Sequence, residues 1–286
     1  MTRVKSALSA TGFVSLLGAT VLSSTVIAQI TVKAEFQRTQ FLRDESVEVW
    51  VTVTSQSRKV VSLHNTDSKP WLSFAVNDNQ KQPVSARPNL PPVPDLSIPP
   101  NQTLGRVVNL QSRFDLGKPG RFQITAAVDH DGKRFTSATQ VISIGAGDLL
   151  WEKLASVPGA ASSATLEPRS YQLIRFSTTE GAKLYVRVSN PDTKTVFHCY
   201  PLAAILPKAV PETRFKSSGE LCVIHEVAEN YFAFSILASD GTPRVREHYT
   251  ARSSRPALVP NSHGNVVVQG GEKYTGTLET GDKKKR

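Results

Sequence analysis

The chain has 286 residues, 39% of them hydrophobic and 20% charged, with a formal net charge of +10. That composition excludes a wholly disordered polymer and leaves enough apolar material for more than one packed core. Arg3 and Lys5 open the chain and Lys283-Lys284-Lys285-Arg286 close it beside Asp282, so the body is only mildly basic and has no stripe of cations with interleaved aromatics for a nucleic acid.

Residues 1–28 have the three-part layout of a secretory signal. Arg3 and Lys5 give a positive start, an apolar run extends from Phe13 to Ile27, and Val26-Ile27-Ala28 offers small residues for cleavage before Gln29. A secreted or periplasmic location is therefore expected. No cysteine follows the apolar run, so a lipid anchor is not expected, and no later segment reaches the ~18 apolar residues of a transmembrane helix. The scattered positive charge suits solubility, with loose attraction to an anionic cell envelope as the sharper alternative.

From Gln29 to Ala146 the pattern is that of strands. Val47, Val49, Val51 and Val53 share one face of Ser46–Thr54, with Glu48, Thr52 and Thr54 on the other. Trp50 breaks the polar face and suggests a covering loop or neighbour. Phe122, Ile124, Ala126 and Val128 form a second stripe, closed by the hairpin signal Asp131-Gly132. In the return strand, Lys133–Ile144, apolar parity changes between Phe135 and Ile142, which predicts a bulge. Further strands are expected at Ile30–Phe36, Lys59–His64, Trp71–Asn77, Gln82–Ala86 and Leu104–Leu110. The proline-rich stretch Pro88–Pro100 reads as an extended surface connection or edge.

Gly145-Ala146-Gly147-Asp148 marks a boundary, giving an N-terminal unit at 29–146 and a second β-rich domain at 147–271. In the latter, Leu149–Val157 is an apolar interdomain strand or plug, Pro158–Ser163 a loop, and Leu202–Pro211 the one candidate helical turn. Leu184, Val186 and Val188 alternate, as do Phe232, Phe234 and Ile236. Asp240-Gly241 signals another hairpin with Arg244–Thr250 returning, and Val266–Val268 offers a last strand. Arg121–Thr139 and Asn230–Thr250 share an aromatic strand, an Asp-Gly turn and a basic return, as related sandwiches or as hairpins in general would. Residues 272–286 read as a disordered basic tail.

Chemical motifs are sparse. The chain lacks the G-x-S-x-G elbow, the H-E-x-x-H zinc helix and the glycine loops of phosphate or dinucleotide sites. No cofactor or metal site is expected. His64 reads as a loop residue, and Asp129-His130-Asp131-Gly132 lacks the spaced carboxylates of a calcium loop. His198 and His225 flank Cys199 and Cys222, but strand parity sets each His opposite its neighbouring Cys. The two cysteines are a possible disulfide across neighbouring strands, or two small buried apolar residues. Glu247 and His248, with Arg244 and Arg246, read as a solvated strand face or an anion- or sugar-binding surface. Tyr171, Tyr185, Tyr200, Tyr231 and Tyr249 are core or stacking residues. Asn101-Gln102-Thr103 spells a glycosylation acceptor by chance.

The Val-rich strand 47–53, Trp71-Leu72-Ser73-Phe74, and Phe114-Asp115-Leu116 with Pro119-Gly120-Arg121-Phe122 together resemble immunoglobulin-like sandwiches of the fibronectin and macroglobulin type over residues 30–144. The resemblance implies an all-β fold, an N-terminal sandwich followed by a second β-rich domain, and carries over no functional residue. The reading from sequence is an exported, non-enzymatic protein with a binding or structural role toward an envelope component or protein partner. Alternatives are an unfamiliar hydrolase, with Glu226, Glu229, Asp240 and His225 as its polar groups, or a proteinase-inhibitor-like module presenting residues 88–100.

Overall fold

The structure, a computed structural model, describes residues 30–66, 69–88, 90–158 and 166–276. The signal-like segment, most of the 158–163 loop and residues 277–286 of the basic tail lie outside them. Every regular element among the described residues is a β-strand, so the fold is all-β.

The N-terminal half contains β1 (Ile30–Phe36), β2 (Gln40–Leu42), β3 (Glu48–Ser55), β4 (Val61–Leu63), β5 (Leu72–Asn77), β6 (Leu96–Ile98), β7 (Thr103–Asn109), β8 (Gly120–His130), β9 (Lys133–Thr136) and β10 (Gln140–Gly145). One sheet runs β1-β3-β7 and a second β2-β10-β8-β5, with β9 also on β8. Side chains alternate across a strand, so register decides which rows meet. Val32 lies opposite Val53 and Ala34 opposite Val51. In the second sheet Leu72 faces Val128, Val76 faces Ile124, and Ile142 faces Phe122. These rows bury into one shared core. The first strand divides between the sheets: β1 pairs antiparallel with β3, while β2 runs parallel to β10.

Asp131 and Gly132 both take positive φ, 48° and 71°, as a two-residue primed turn requires. The bulge is present. Pairing steps from Ala127↔Thr136 to Ile124↔Gln140, which inserts one extra residue in the return strand. Ser137 repairs the ladder there, its N–H donating to Ala126 O (2.9 Å) and its Oγ accepting from Ala126 N (3.1 Å).

Three expectations need correction in this half. Gln82–Ala86 makes only isolated bridges, Asn77↔Pro83 and Ala86↔Phe114, because Pro83 has no N–H for a ladder. The proline-rich stretch is not merely a surface connection: Val93, Leu96 and Ile98 are buried, and Trp71 Nε1 donates to the carbonyls of Val93 and Pro94 (3.2 Å each). Trp50 is uncovered, 55% exposed, and lies across Gly105, where a Cβ would come within 2.6 Å of its Nε1. An aromatic spanning a glycine of an edge strand protects an otherwise bare stretch of backbone.

The C-terminal half contains β11 (Asp148–Pro158), β12 (Leu166–Thr178), β13 (Gly181–Ser189), β14 (Val196–Ala204), β15 (Glu212–Phe215), β16 (Leu221–Ala228), β17 (Tyr231–Leu237), β18 (Pro243–Thr250), β19 (Ala257–Pro260), β20 (Val266–Gln269) and β21 (Glu272–Tyr274). β11-β12-β13-β14 and β15-β16-β17-β18-β21 are two antiparallel sheets, and β19-β20 a separate hairpin. Leu173, Leu184, Val186 and Val188 of the first sheet share a core with Leu221, Val223 and Leu237 of the second. The reverse face of the second sheet is buried as well: Cys222, Ile224, Phe232 and Phe234 pack with Leu258 and Val266.

Leu149–Val157 lies in the edge strand β11 rather than in a plug. Leu202–Pro211 is not helical. β14 continues to Ala204, after which Ile205 N–H bonds Ala182 O and Leu206 N–H bonds Glu226 O, tying the crossing chain to both sheets. Prolines 207 and 211 remove donors a helix would need. The Asp240-Gly241 turn is longer than its N-terminal counterpart, with a register shift at Ile236/Leu237, so the two hairpins differ in geometry. Glu272–Tyr274, expected to begin the frayed tail, pairs with β18 through His248↔Tyr274 and Thr250↔Glu272.

Candidate functional site

The sequence-flagged residues do not gather into one constellation. Cys199 and Cys222 are free and buried in different sheets, so the disulfide that the spacing admits is not formed. β14 pairs with β13, and β16 with β15 and β17; the two cysteine strands are not neighbours in any ladder. Cys199 packs against Leu42 with its Sγ 3.6 Å from Arg43 O, whereas Cys222 faces the β19-β20 hairpin. Burial raises both thiols, that of Cys222 to about 11, which holds them protonated and unreactive at neutral pH.

His225 is buried, its Nε2 3.1 Å from Ala204 O and its Nδ1 without a partner. Burial lowers its pKa to about 4, with a smaller contribution from His248, so the ring is neutral. Ala233 is the register partner of both histidines, and Nδ1 of His248 is also buried and unpartnered. The β18 stretch is thus not simply a solvated face. Glu226 accepts from Asn230 N–H near one end of β17, while Asp240 accepts from Thr242 N–H beyond the other. These two carboxylates therefore do not converge with His225.

Tyr171 and Tyr185 are core residues, and Tyr171 Oη donates to Ser239 O (2.7 Å). His64 sits on the surface 3.1 Å from Asp95. Residues 88–100 are tethered, with Arg106 bonding Asp95 O (3.0 Å) and Arg113 bonding Pro91 O (2.9 Å), rather than freely presented.

The strongest concave site lies where the two halves meet. Gly145 and Gly147 make the close approach possible. A Cβ at Gly147, whose φ is +71°, would stand 2.5 Å from Ile174 Cγ2 and 3.0 Å from Arg175 O; one at Gly145 would meet Phe176 at 2.6 Å. Leu42 enters the resulting apolar cluster with Ile174, Phe176, Tyr185 and Cys199. Beside it, Arg38 pairs with buried Glu45 and donates to Tyr185 Oη (2.9 Å), while Glu45 also accepts Leu42 N–H (3.0 Å). Burial raises the Glu45 carboxyl above its usual range against the pull of Arg38. Arg187 reaches Asp44 at 3.0 Å and Gln40 Oε1 accepts Thr179 N–H at 2.9 Å, adding polar ties across the seam.

Next to these ties opens a cleft of about 670 Å³, lined by Asp44, Arg87, Asn109, Lys194, Phe197 and His198 among others. A second cleft of about 330 Å³ adjoins it through Asp44, Lys194 and Val196. Local hydrogen bonds hold the walls. Asn109 Oδ1 accepts Val47 N–H (3.3 Å) and Gln111 N–H (3.0 Å), while Arg87 donates its N–H to Arg113 O (2.8 Å) and its Nε–H to Phe114 O (3.3 Å). Opposite, Asn190 Oδ1 accepts from Asp192 and Thr193 N–H, fixing the turn that carries Lys194 at φ +59°.

Charge on this surface is unevenly balanced. Asp44 is neutralised by Arg187 and Arg43, whereas Arg87 and Lys194 make no ion pair among the described residues. Glu152 lines the adjoining cleft; hydrogen bonds from Ser170 and Gln172, with Arg187 and Lys194 nearby, hold its carboxyl below the usual range. The cleft residues come from well-separated segments, so no local motif announced them. The turn signal Asn190-Pro191-Asp192 could have placed Lys194 on a hairpin tip.

The fold and site define an all-β protein with an open polar cleft between two sets of sheets. No protein-family model matches the chain, and no curated protein does. Among solved structures it has a weak likeness to Spo0M, a sporulation control protein from Bacillus subtilis, with 11% identity and a TM-score of 0.29. That match covers 59% of this chain and 83% of the other. A likeness so slight carries no argument about role.

Proposed function

We propose that the chain is an exported, non-enzymatic β-protein with a binding or structural role at the cell envelope, its residues 30–144 forming an immunoglobulin-like sandwich. The open polar cleft at the seam carries the binding part of this reading. Its walls are fixed by side-chain and backbone hydrogen bonds, and two cations on it, Arg87 and Lys194, make no ion pair among the described residues, although Glu152 lies near Lys194. Export rests on the layout of residues 1–28. The sandwich assignment is supported by two sheets sharing one core and by a first strand divided between them.

Cell fractionation with N-terminal sequencing, followed by co-sedimentation of the purified protein with isolated envelope, tests the proposal. The expected result is a chain beginning at Gln29, outside the cytosol, that pellets with the envelope. A full-length cytosolic chain, or turnover of glycan or peptide substrates by the purified protein, would overturn it.

A further inference from the structure

We infer that the seam cleft binds an acidic polysaccharide, gripping its carboxylates with Arg87 and Lys194; this rests on the envelope-binding reading above. The two adjoining clefts share Asp44, Lys194 and Val196, which suits an extended chain passing Lys194 better than a compact ligand. Hydroxyl and amide side chains are the most frequent kind on the larger cleft's walls, among them Ser46, Ser112, Thr193 and Thr195; in the smaller, Gln172 and Asn190 stand with Arg43, Asp44, Glu152 and Arg187. Such groups match sugar hydroxyls, which both donate and accept.

Arg87 spends its Nε–H on Phe114 O, which orients the guanidinium while its two Nη groups make no hydrogen bond to the described residues. A guanidinium held in this way can take a carboxylate through paired donors. Phe197 supplies a phenyl ring to the larger cleft, 37% exposed, with the Arg169 guanidinium 4.0 Å from its centroid. Carbon–hydrogen faces of a sugar can stack on such a ring.

An acidic peptide is disfavoured by the strand beneath it. β14 is the edge of its sheet, but register slips between Val188↔His198 and Ser189↔Val196, leaving Phe197 as a bulge. A bulged edge cannot extend a regular ladder to an added strand. Sugar recognition needs no ladder.

Calorimetric titration of the protein from Gln29 to Arg286 with oligogalacturonate, its full methyl ester and polyglutamate tests the inference. Arg87→Gln/Lys194→Asn keeps polar side chains and places at residue 194 one of the residues that best tolerate positive φ. Its melting temperature serves as the folding control, and Lys153→Gln, whose Nζ lies over Phe215, tests the loss of one positive charge outside the cleft. Oligogalacturonate should bind the wild type and Lys153→Gln alike, and the double variant at least tenfold more weakly. The methyl ester should bind at least tenfold more weakly to the wild type, and added salt should weaken the acid form.

Equal binding of acid and ester, undiminished binding by the folded double variant, equal binding of polyglutamate, or no binding at all would each overturn the inference. Envelope co-sedimentation of the same double variant separates the two claims. Retained pelleting would leave the broader binding role standing while the cleft is eliminated.

Discussion

The two halves bury their sheets in different ways. In the N-terminal half, two sheets enclose one core and the first leaves its outer face to solvent, as Trp50 and Val107 show. In the C-terminal half, the sheet containing β16 is covered on both sides, and residues 221–225 are buried without interruption. Two-sided burial removes the alternation that makes a half-buried strand readable, and it also traps polar groups such as His225. The seam belongs to neither pattern: it is held by an ion-paired cluster and by glycines that admit close contact.

The largest effect should come from breaking the seam. Arg38→Met leaves Glu45 buried without its counter-charge and should cost about 4 kcal/mol, the usual scale for a severed buried pair. Chemical denaturation checks this, and Arg38→Met/Glu45→Leu should recover most of the loss. Persistent loss in the double variant would show that packing, not the orphaned charge, is responsible.

The contrast in burial predicts a pH effect of about 3 kcal/mol from the C-terminal half. The unfolded His225 pKa lies near 6.5 and the native value at about 4. Between them the unfolded chain carries a proton that the native state does not, so acidification favours unfolding. Stability from this group is intact above about pH 6.5 and falls progressively toward pH 4. His225→Gln should flatten that part of the stability profile; an unchanged slope would contradict the assignment.

Gly147→Ala should cost about 2 kcal/mol through positive φ and the crowding by Ile174 and Arg175 O. Gly132→Ala has a similar φ but no neighbour within 4 Å, and should cost about half as much. Thermal melts of the pair separate strain from crowding. Trp50→Thr should be mildest, about 1 kcal/mol, because the exposed ring mainly covers Gly105.

Legibility in the sequence followed burial. Val47–Val53 and Phe122–Val128 alternate because one face is buried, and the parity change after Phe135 marked a real one-residue bulge. The glycines at 145 and 147 were visible as a break, and their closeness to Phe176 and Ile174 is the physical reason. Other features had no local signal. β6 hides among prolines because three-residue pairing with β4 needs few donors, and β21 is polar because it is a short edge on β18. The cysteine grouping has no counterpart in the fold because β14 pairs with β13 and β16 with β15 and β17. Arg87, Asn109, Lys194 and Phe197 meet through tertiary approach, which no spacing along the chain encodes.

A built cleft requires that the seam hold its two walls at one separation. Spin labels at Ser112→Cys and Thr193→Cys, both exposed and on opposite walls, would measure it in a background where Cys199 and Cys222 are replaced by alanine. One narrow distance distribution by pulsed electron resonance is predicted. A broad or multimodal distribution would mean that the halves move independently and that no built site exists between them.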